Sequence, residues 1–534
     1  MRNISDILSE LKIGDYELYG KYISKIGLST AIPGGKGKLI LMTAMTPTPA
    51  GEGKTTTAIG LAQALKIMGK NAGIAIREPS LGPCFGVKGG ATGGGKSTVQ
   101  PSDRINLIFT GDFPAIAAAH NLLSAMINNH IFHGNLLGID PKRIVFPRTI
   151  DMDDRSLRSV IVGDGDRNNG TLANDSYVIT AASEIMAIMA LAKSYDDLKE
   201  RLKNILVAYT AKNKPVFAGQ LHAQGAMAAL LVDALKPNMV QTVENVPAII
   251  HTGPFGNIAH GTSSILGDYA ALNIFDYTVT EAGFGSELGF EKFIDIVTRE
   301  ADINVDAVVI VATLRAMKYH GKSKNIDLPD MPALMDGIKN LYRHVANVRN
   351  FGIEPVVALN IHVKDTEEEI KAVCNELDKN KIQYSLSYVY EKGGMGGMDL
   401  AEKVLKNLKT SKLNYAYEMN DEISSKIEKI AKKVYGADGV DFSAEAKSEL
   451  KNAVKNGFSN MYVCMAKTQS SITDNPALLN SPEHFRIAVT KIIINSGSGF
   501  IIPVLGNIMT MPGLPAKPAA ENIDIDENGN ISGL

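Results

Sequence analysis

The chain has 534 residues, which at roughly 150 residues per domain allows two to four domains with ample cores. Lys and Arg number 55 against 57 Asp and Glu, a formal net charge of −2 with no long block of one sign, so no basic arm points to nucleic acid or an anionic membrane and the expected partners are small molecules. A hydrophobic content of 45% with 21% charged residues, 49 Gly and 22 Pro excludes a disordered or collagen-like chain.

Ile4, Ile7, Leu8 and Leu11 share one helical face and predict a short N-terminal helix between Ile4 and Leu18. Lys38 to Thr43 reads as a buried strand, followed by the turn Pro49 to Gly53, a helix from Thr55 to about Met68 and a second strand, Ala72 to Ile76. Apolar runs at Ala248 to His251, Tyr277 to Thr280, Ala307 to Ala312 and Val356 to Leu359 alternate with helical patterns, as parallel strands joined by crossover helices do. The fold class is therefore α/β.

No low-complexity linker separates the parts. Boundaries fall near Arg349, where a strand and helix unit (Val356 to Leu377) begins, and near Asp438, where Ser443 can cap a helix over Ala444 to Val454. This gives units 1–348, 349–437 and 438–534, with the tail from Asn507 laid over the body as an extended segment. The most apolar run, Ile179 to Ala192, is interrupted by Ser183 and Glu184, and Asp6 stands where a signal peptide would be apolar. Cys84, Cys374 and Cys464 form no CxxC pair, so no disulfide framework or cysteine zinc site is expected, and the ten histidines show no HExxH spacing. The expected compartment is the cytoplasm.

Thr48-Pro-Ala-Gly51-Glu-Gly53-Lys54-Thr55 joins the first strand to its helix, where backbone N–H groups and the positive helix end can surround phosphate oxygens. Lys54 would neutralise the terminal phosphates and Thr55 would help hold Mg²⁺. Thr48 stands at the first glycine of the GxxxxGK[ST] pattern, so a simple turn capping a core helix is the alternative. Arg77-Glu78-Pro-Ser-Leu-Gly-Pro83 follows the second strand, at the sheet edge that faces ligands in open α/β folds, where Arg77 can clamp an acyl phosphate or instead pair with Glu78. The stretch Lys88 to Lys96, with five glycines, permits close backbone approach to a ligand. Asp151-Met-Asp153-Asp154 begins like a calcium loop but has Ser156 at its glycine position, so helix capping is expected; Lys318, Lys322 and Lys324 read as a solvated basic loop.

These stretches resemble formate tetrahydrofolate ligase over nearly the whole chain. The likeness is carried by TPTPAGEGKTTT (Thr46 to Thr57), REPSLGP (Arg77 to Pro83), INLIFTGD (Ile105 to Asp112), NIAHG (Asn257 to Gly261) and TEAGFGSELG (Thr280 to Gly289). It continues through IVATLRAMKYHG (Ile310 to Gly321), YGADGV (Tyr435 to Val440), AKTQ (Ala466 to Gln469) and MTMPGLP (Met509 to Pro515). The resemblance implies a cytosolic homotetramer with a large P-loop NTPase-like parallel-sheet domain and two smaller α/β domains. In it ATP phosphorylates formate and the N10 amine of tetrahydrofolate attacks the formyl phosphate. It assigns Gly51, Gly53, Lys54, Thr55 and Thr56 to ATP and Mg²⁺, Arg77 to the formyl phosphate, and Asp112 and His260 to the reaction site. For Asp112 a helix-capping role, and for His260 a core role, would use the same residues. Glu78, Phe284, His362, Leu386 and Tyr390 are implied to hold the folate, and a monovalent cation is a further possible cofactor.

The chain departs from the family pattern on the acceptor side. Tyr390 replaces a tryptophan, Met395 a glutamate, His362 and Val363 a Phe and Pro, Lys96 and Thr98 a Tyr and Gln, and Pro114 a His. Two readings of the acceptor follow, tetrahydrofolate or another amine. A nucleotide-dependent switch or scaffold is the alternative of a different class, and formate-dependent ADP release would separate it from both.

Overall fold

The computed structural model describes residues 1–86, 92–506 and 508–534, so Lys88 to Ala91 of the glycine-rich stretch and Asn507 of the tail lie outside the described residues. Its centre is a mostly parallel sheet, with the architecture of a mixed α/β protein. The strands that position the site are β1 (Lys38–Ala44), β2 (Ala72–Ile76), β3 (Asn238–Thr242), β4 (Pro247–Ile250), β5 (Tyr277–Glu281), β6 (Ala307–Ala312), β7 (Val356–Asn360) and β8 (Tyr384–Ser387). They lie in the order β3-β4-β2-β5-β1-β6-β7-β8. All are parallel from β4 to β8, and only β3 runs against its neighbour β4.

The continuous apolar runs follow from burial on both faces. Leu39 and Leu41 of β1 enter one core with Ile310 and Phe290, while Ile40 and Met42 enter the other with Ala58, Leu61 and Leu65. Those last three lie on α1 (Lys54–Ile67), which is buried over Thr57 to Leu65 because a second layer covers it. Gly60 makes that layer possible: a Cβ there would stand 2.3 Å from Val389 Cβ.

The expected strands over 72–76 and 307–312 coincide with β2 and β6, and the others differ by a residue or two at their ends. The N-terminal helix is shorter than the range allowed. It ends at Glu10, Lys12 turns left-handed at φ 58°, and Tyr16–Leu18 instead pairs with Ser24–Ile26. β7 adds directly to β6, so the sheet continues on both sides of residue 349.

A second sheet of four strands lies near the C-terminus, dominated by the antiparallel pair Arg486–Asn495 and Phe500–Leu505. Ser443 caps the adjoining helix Ala444–Lys455, its hydroxyl accepting from Ala446 N at 3.0 Å. The tail makes hydrogen bonds to the body: Thr510 O accepts from Ile179 N at 2.9 Å, Met511 O from Arg158 Nε at 2.9 Å, and Gly86 O from Ala519 N at 2.8 Å. The run after Ile179 forms a short turn and the buried helix Glu184–Leu191, and no described helix is long and apolar enough to cross a membrane.

Candidate active site

The parallel strands end on one edge of the sheet, and the turns that leave them meet there. The turn after β1 is built on two left-handed glycines, Gly51 at φ 82° and Gly53 at φ 70°. Gly53 has no room for a side chain, since a Cβ would lie 2.5 Å from Asn360 Nδ2, which itself donates to Glu52 O at 3.1 Å. Glu52 folds inward. Its carboxylate accepts from Thr48 N at 2.7 Å and from the Thr313 hydroxyl, and burial pushes its pKa up. Thr48 is thereby buried and tied down, and Thr48 O also accepts from Gly51 N at 3.0 Å. The turn closes without the first glycine of the usual pattern.

Lys54 and Thr55 open α1, and both reach the end of β5. Lys54 Nζ donates to Ala282 O, and Thr55 Oγ1 donates to the Glu281 carboxylate at 2.9 and 3.2 Å. Thr56 faces the hairpin Gly93–Gly94, where a Cβ on Gly94 would lie 3.7 Å from its hydroxyl. Arg77, just past β2, reaches the same segment: a Cβ on Gly283 would stand 2.9 Å from Arg77 Nη2 and 3.1 Å from Nη1. Arg77 Nη1 donates to Pro254 O at 2.9 Å, whereas Nε and Nη2 are shut from solvent with no hydrogen-bond partner among the described residues. Burial lowers the Arg77 pKa, without removing a charge so strongly basic.

The alternative of an Arg77–Glu78 surface pair is not what the chain forms. Glu78 is buried and faces Asp112; burial and then the Asp112 charge drive its pKa well upward, and Oε2 has no hydrogen-bond partner among the described residues. Asp112 is the first residue of α2 (Asp112–Phe132), with left-handed Gly111 in the cap position, so its side chain does not cap the helix. It accepts instead from Lys25 Nζ at 2.8 and 3.0 Å and from Asn238 Nδ2 at 2.8 Å. Such a buried pair is costly to break from either side.

His260 is fully buried, with Nδ1 bonded to Ile258 O at 3.0 Å and Nε2 without a partner among the described residues. Burial brings its pKa down to about 3. It is a neutral ring, satisfied on one nitrogen and able to accept at the other.

Phe284 follows β5 in the left-handed region at φ 60°, an unusual conformation for a bulky residue. Its ring lies 6.5 Å from that of Phe255, and both line a cavity of about 270 Å³ shared with Lys292, Lys467, Gln469 and Met509. Lys467 is buried, 3.4 Å from Glu287, and its pKa is lowered by burial. The other acceptor-side residues stand elsewhere on the edge. Leu386 is half-buried in β8. Tyr390 is 58% exposed, its carbonyl accepts from Lys96 N at 2.9 Å, and a Cβ on Gly94 would touch its ring at 3.0 Å. His362, after β7, donates its backbone N–H to Asp365 at 2.8 Å, and Met395 is exposed. Phe284 therefore has Phe255, and not Tyr390, as its ring neighbour.

Lys25, Glu52, Phe255, Glu281, Lys292 and Lys467 were not singled out from the sequence. Glu52, Glu281 and Lys467 lie inside quoted motifs, which was the available signal; Lys25 is joined to Asp112 only by the fold. Lys318 corrects the reading of a solvated basic loop: it is buried, 3.3 Å from Glu369, and donates to Leu328 O at 3.1 Å. Asp151 accepts from Ser80 Oγ at 2.6 Å and Leu81 N at 3.0 Å, a tertiary contact at the start of the distant helix Leu81–Phe85, whereas Asp154 caps its own short turn at Ser156. Among the described residues no group of three or more His, Cys, Asp or Glu is arranged to hold a metal ion.

The family model described as Formate--tetrahydrofolate ligase matches residues 1–534. Curated relatives of that same description include those of Picrophilus torridus, 63% identical, and of Thermoplasma volcanium and Thermoplasma acidophilum, each 62% identical. Each alignment covers 100% of both chains. The chain belongs to the formate--tetrahydrofolate ligase family.

Proposed function

We propose that the protein joins formate to tetrahydrofolate with cleavage of ATP, giving 10-formyltetrahydrofolate, ADP and phosphate through formyl phosphate. One observation carries the mechanistic reading: Thr55, Lys54 and Arg77 converge on the consecutive residues Glu281, Ala282 and Gly283, with Phe284 next in the chain. Groups suited to a nucleotide, to an acyl phosphate and to a flat ring are thus strung along four residues.

A formate oxygen attacks the terminal phosphorus of ATP, the bond to ADP breaks, and formyl phosphate results. Gly51 closes the turn onto Thr48, Gly53 and Thr56 offer backbone N–H groups at the start of α1, and Lys54 balances the charge that moves onto ADP. Thr55 and Glu281 present hard oxygen donors, a set that fits Mg²⁺ and would hold it; the bound ion supplies charge neutralisation at the phosphates. Arg77 Nε and Nη2, without a partner among the described residues, suit the acyl phosphate. The N10 amine then attacks the formyl carbon, and phosphate departs with the former formate oxygen. In this reading the departing phosphate takes the amine proton, Asp112 and His260 line the reaction site with His260 Nε2 accepting a hydrogen bond, and Glu78, Phe284, His362, Leu386 and Tyr390 hold the acceptor.

The P-loop NTPase-like character of the main domain, the division into 1–348, 349–437 and 438–534, a homotetramer, a cytoplasmic setting and a monovalent-cation requirement belong to the same proposal. The strand-turn-helix of β1 and α1 supports the first of these. Limited proteolysis, light scattering and assays in different alkali salts test the rest.

The positions of Tyr390, His362 and Met395 favour a second reading, in which another amine replaces tetrahydrofolate. ADP release measured with ATP, formate and either tetrahydrofolate or a panel of amines decides between them. Turnover only with tetrahydrofolate supports the first; turnover without formate defeats both.

A further inference from the structure

The helix Met331–Asn350 buries two different kinds of surface. Leu334, Ile338, Leu341, Val345 and Val348 enter the core, while Asn340, His344 and Asn347 form a polar stripe at the spacing i, i+4, i+7, also buried. A buried polar stripe is tolerated only when it is hydrogen-bonded. Here its partners come from two separate turns of the sheet edge.

On one side stands Thr46, which leads from β1 into the phosphate turn. Its N–H donates to His344 Nε2 at 2.8 Å and, less closely, to Asn340 Oδ1 at 3.2 Å. Its hydroxyl lies 2.9 Å from the same Nε2 and accepts from Asn340 Nδ2 at 3.0 Å. Its carbonyl accepts from His320 Nε2 at 2.9 Å. On the other side stands Ser286, two residues beyond Phe284, with Oγ 2.8 Å from His344 Nδ1 and 3.3 Å from Asn347 Nδ2.

The hydrogen bonds assign the ring. An amide N–H can only donate, so the 2.8 Å contact from Thr46 makes Nε2 the acceptor and leaves the proton on Nδ1. Nδ1–H then donates to Ser286 Oγ, and the longer approach of Ser286 N to Nδ1, 3.3 Å, yields to it. Burial lowers the His344 pKa to about 4 despite the Glu287 carboxylate 3.6 Å from Nδ1, so the ring is neutral, and the hydrogen bonds alone select its tautomer. Gly285 leaves no slack, because a Cβ there would stand 3.0 Å from His344 Cε1.

We propose that His344 is a positioning residue that ties the phosphate turn, through Thr46, to the Phe284 segment, through Ser286, and so fixes the nucleotide and acceptor sites at one separation. The inference rests on the proposed function for what each side binds, but the tautomer does not depend on it.

Two variants separate the links. His344→Gln can still place an acceptor near Thr46 but cannot serve Ser286; His344→Asn does the reverse. Steady-state kinetics should show KM for the acceptor raised about tenfold in H344Q with KM for ATP within about twofold, and the opposite pattern in H344N. Both KM values unchanged in both variants, or moved equally in both, would overturn the proposal. ¹⁵N NMR of histidine-labelled wild-type protein should report a neutral ring with Nδ1 protonated and Nε2 bare. An Nε2–H tautomer or an imidazolium at neutral pH would overturn it even if neither variant folds. Wild type that lacks formate-dependent ATP turnover would defeat the functional reading and leave the NMR result standing.

Discussion

Arg77 packs its guanidinium directly against Gly283: a Cβ on Gly283 would come within 2.9 Å of Arg77 Nη2, so the glycine is what lets the guanidinium lie across the end of β5. Gly283 needs no left-handed backbone, and the atoms in the way belong to the far end of a long side chain. Gly283→Ala should therefore fold normally and displace Arg77. Loss of a charge-assisted contact worth about 1.5 to 3 kcal/mol corresponds to a fall in kcat of roughly ten- to a hundredfold, with the melting temperature little changed. Wild-type kcat in this variant would remove Arg77 from the reaction.

Thr55 and Glu281 make the second test. Glu281→Gln keeps an oxygen for the Thr55 hydroxyl but removes a charge from the oxygen set. The Mg²⁺ concentration for half-maximal activity should rise about tenfold while kcat at saturating Mg²⁺ changes less. An unchanged Mg²⁺ titration would place the ion elsewhere.

The course of the sheet was legible because β-branched runs such as Ala307 to Ala312 are buried on both faces and alternate with helices. The glycines at 51 and 53 likewise announced the turn that opens α1. The sequence could not show that Glu52 folds under the turn to hold Thr48, nor that Lys25 and Asp112, 87 positions apart, form a buried pair. Both depend on which strands become neighbours. The Asn340, His344 and Asn347 stripe was visible as a helical spacing, but its meaning lay in Thr46 and Ser286, 298 and 58 residues away from His344. Lys318 was misread for the same reason: its partner Glu369 reaches it only through packing.

Glu184 offers a stability test away from the chemistry. It is buried, accepts from Gly497 N at 2.8 Å, and burial raises its pKa from 4.5 to about 8. The folded form stays protonated where the unfolded chain has ionised, so this contribution is fully present below about pH 4.5 and is lost as pH rises through 8. Glu184→Gln keeps the acceptor and abolishes the titration. Its stability advantage over wild type should grow from no more than about 1 kcal/mol at pH 5 to roughly 2 to 4 kcal/mol at pH 8 in chemical denaturation. A difference independent of pH would show that Glu184 is ionised in the fold.

Tyr390 tests the acceptor side. If its ring stacks on the pterin, Tyr390→Ala should weaken tetrahydrofolate binding by about 1 to 3 kcal/mol, and Tyr390→Trp should preserve or tighten it. Calorimetry measures both directly. Equal affinities in all three proteins would take Tyr390 out of the acceptor site.

The central claim is that formate is activated as an acyl phosphate before the amine attacks. Turnover of ¹⁸O-labelled formate with ATP and tetrahydrofolate, followed by mass spectrometry of the released inorganic phosphate, tests it most directly. The mechanism predicts one labelled oxygen carried from formate into each phosphate for every 10-formyltetrahydrofolate formed; unlabelled phosphate released alongside that product would contradict it.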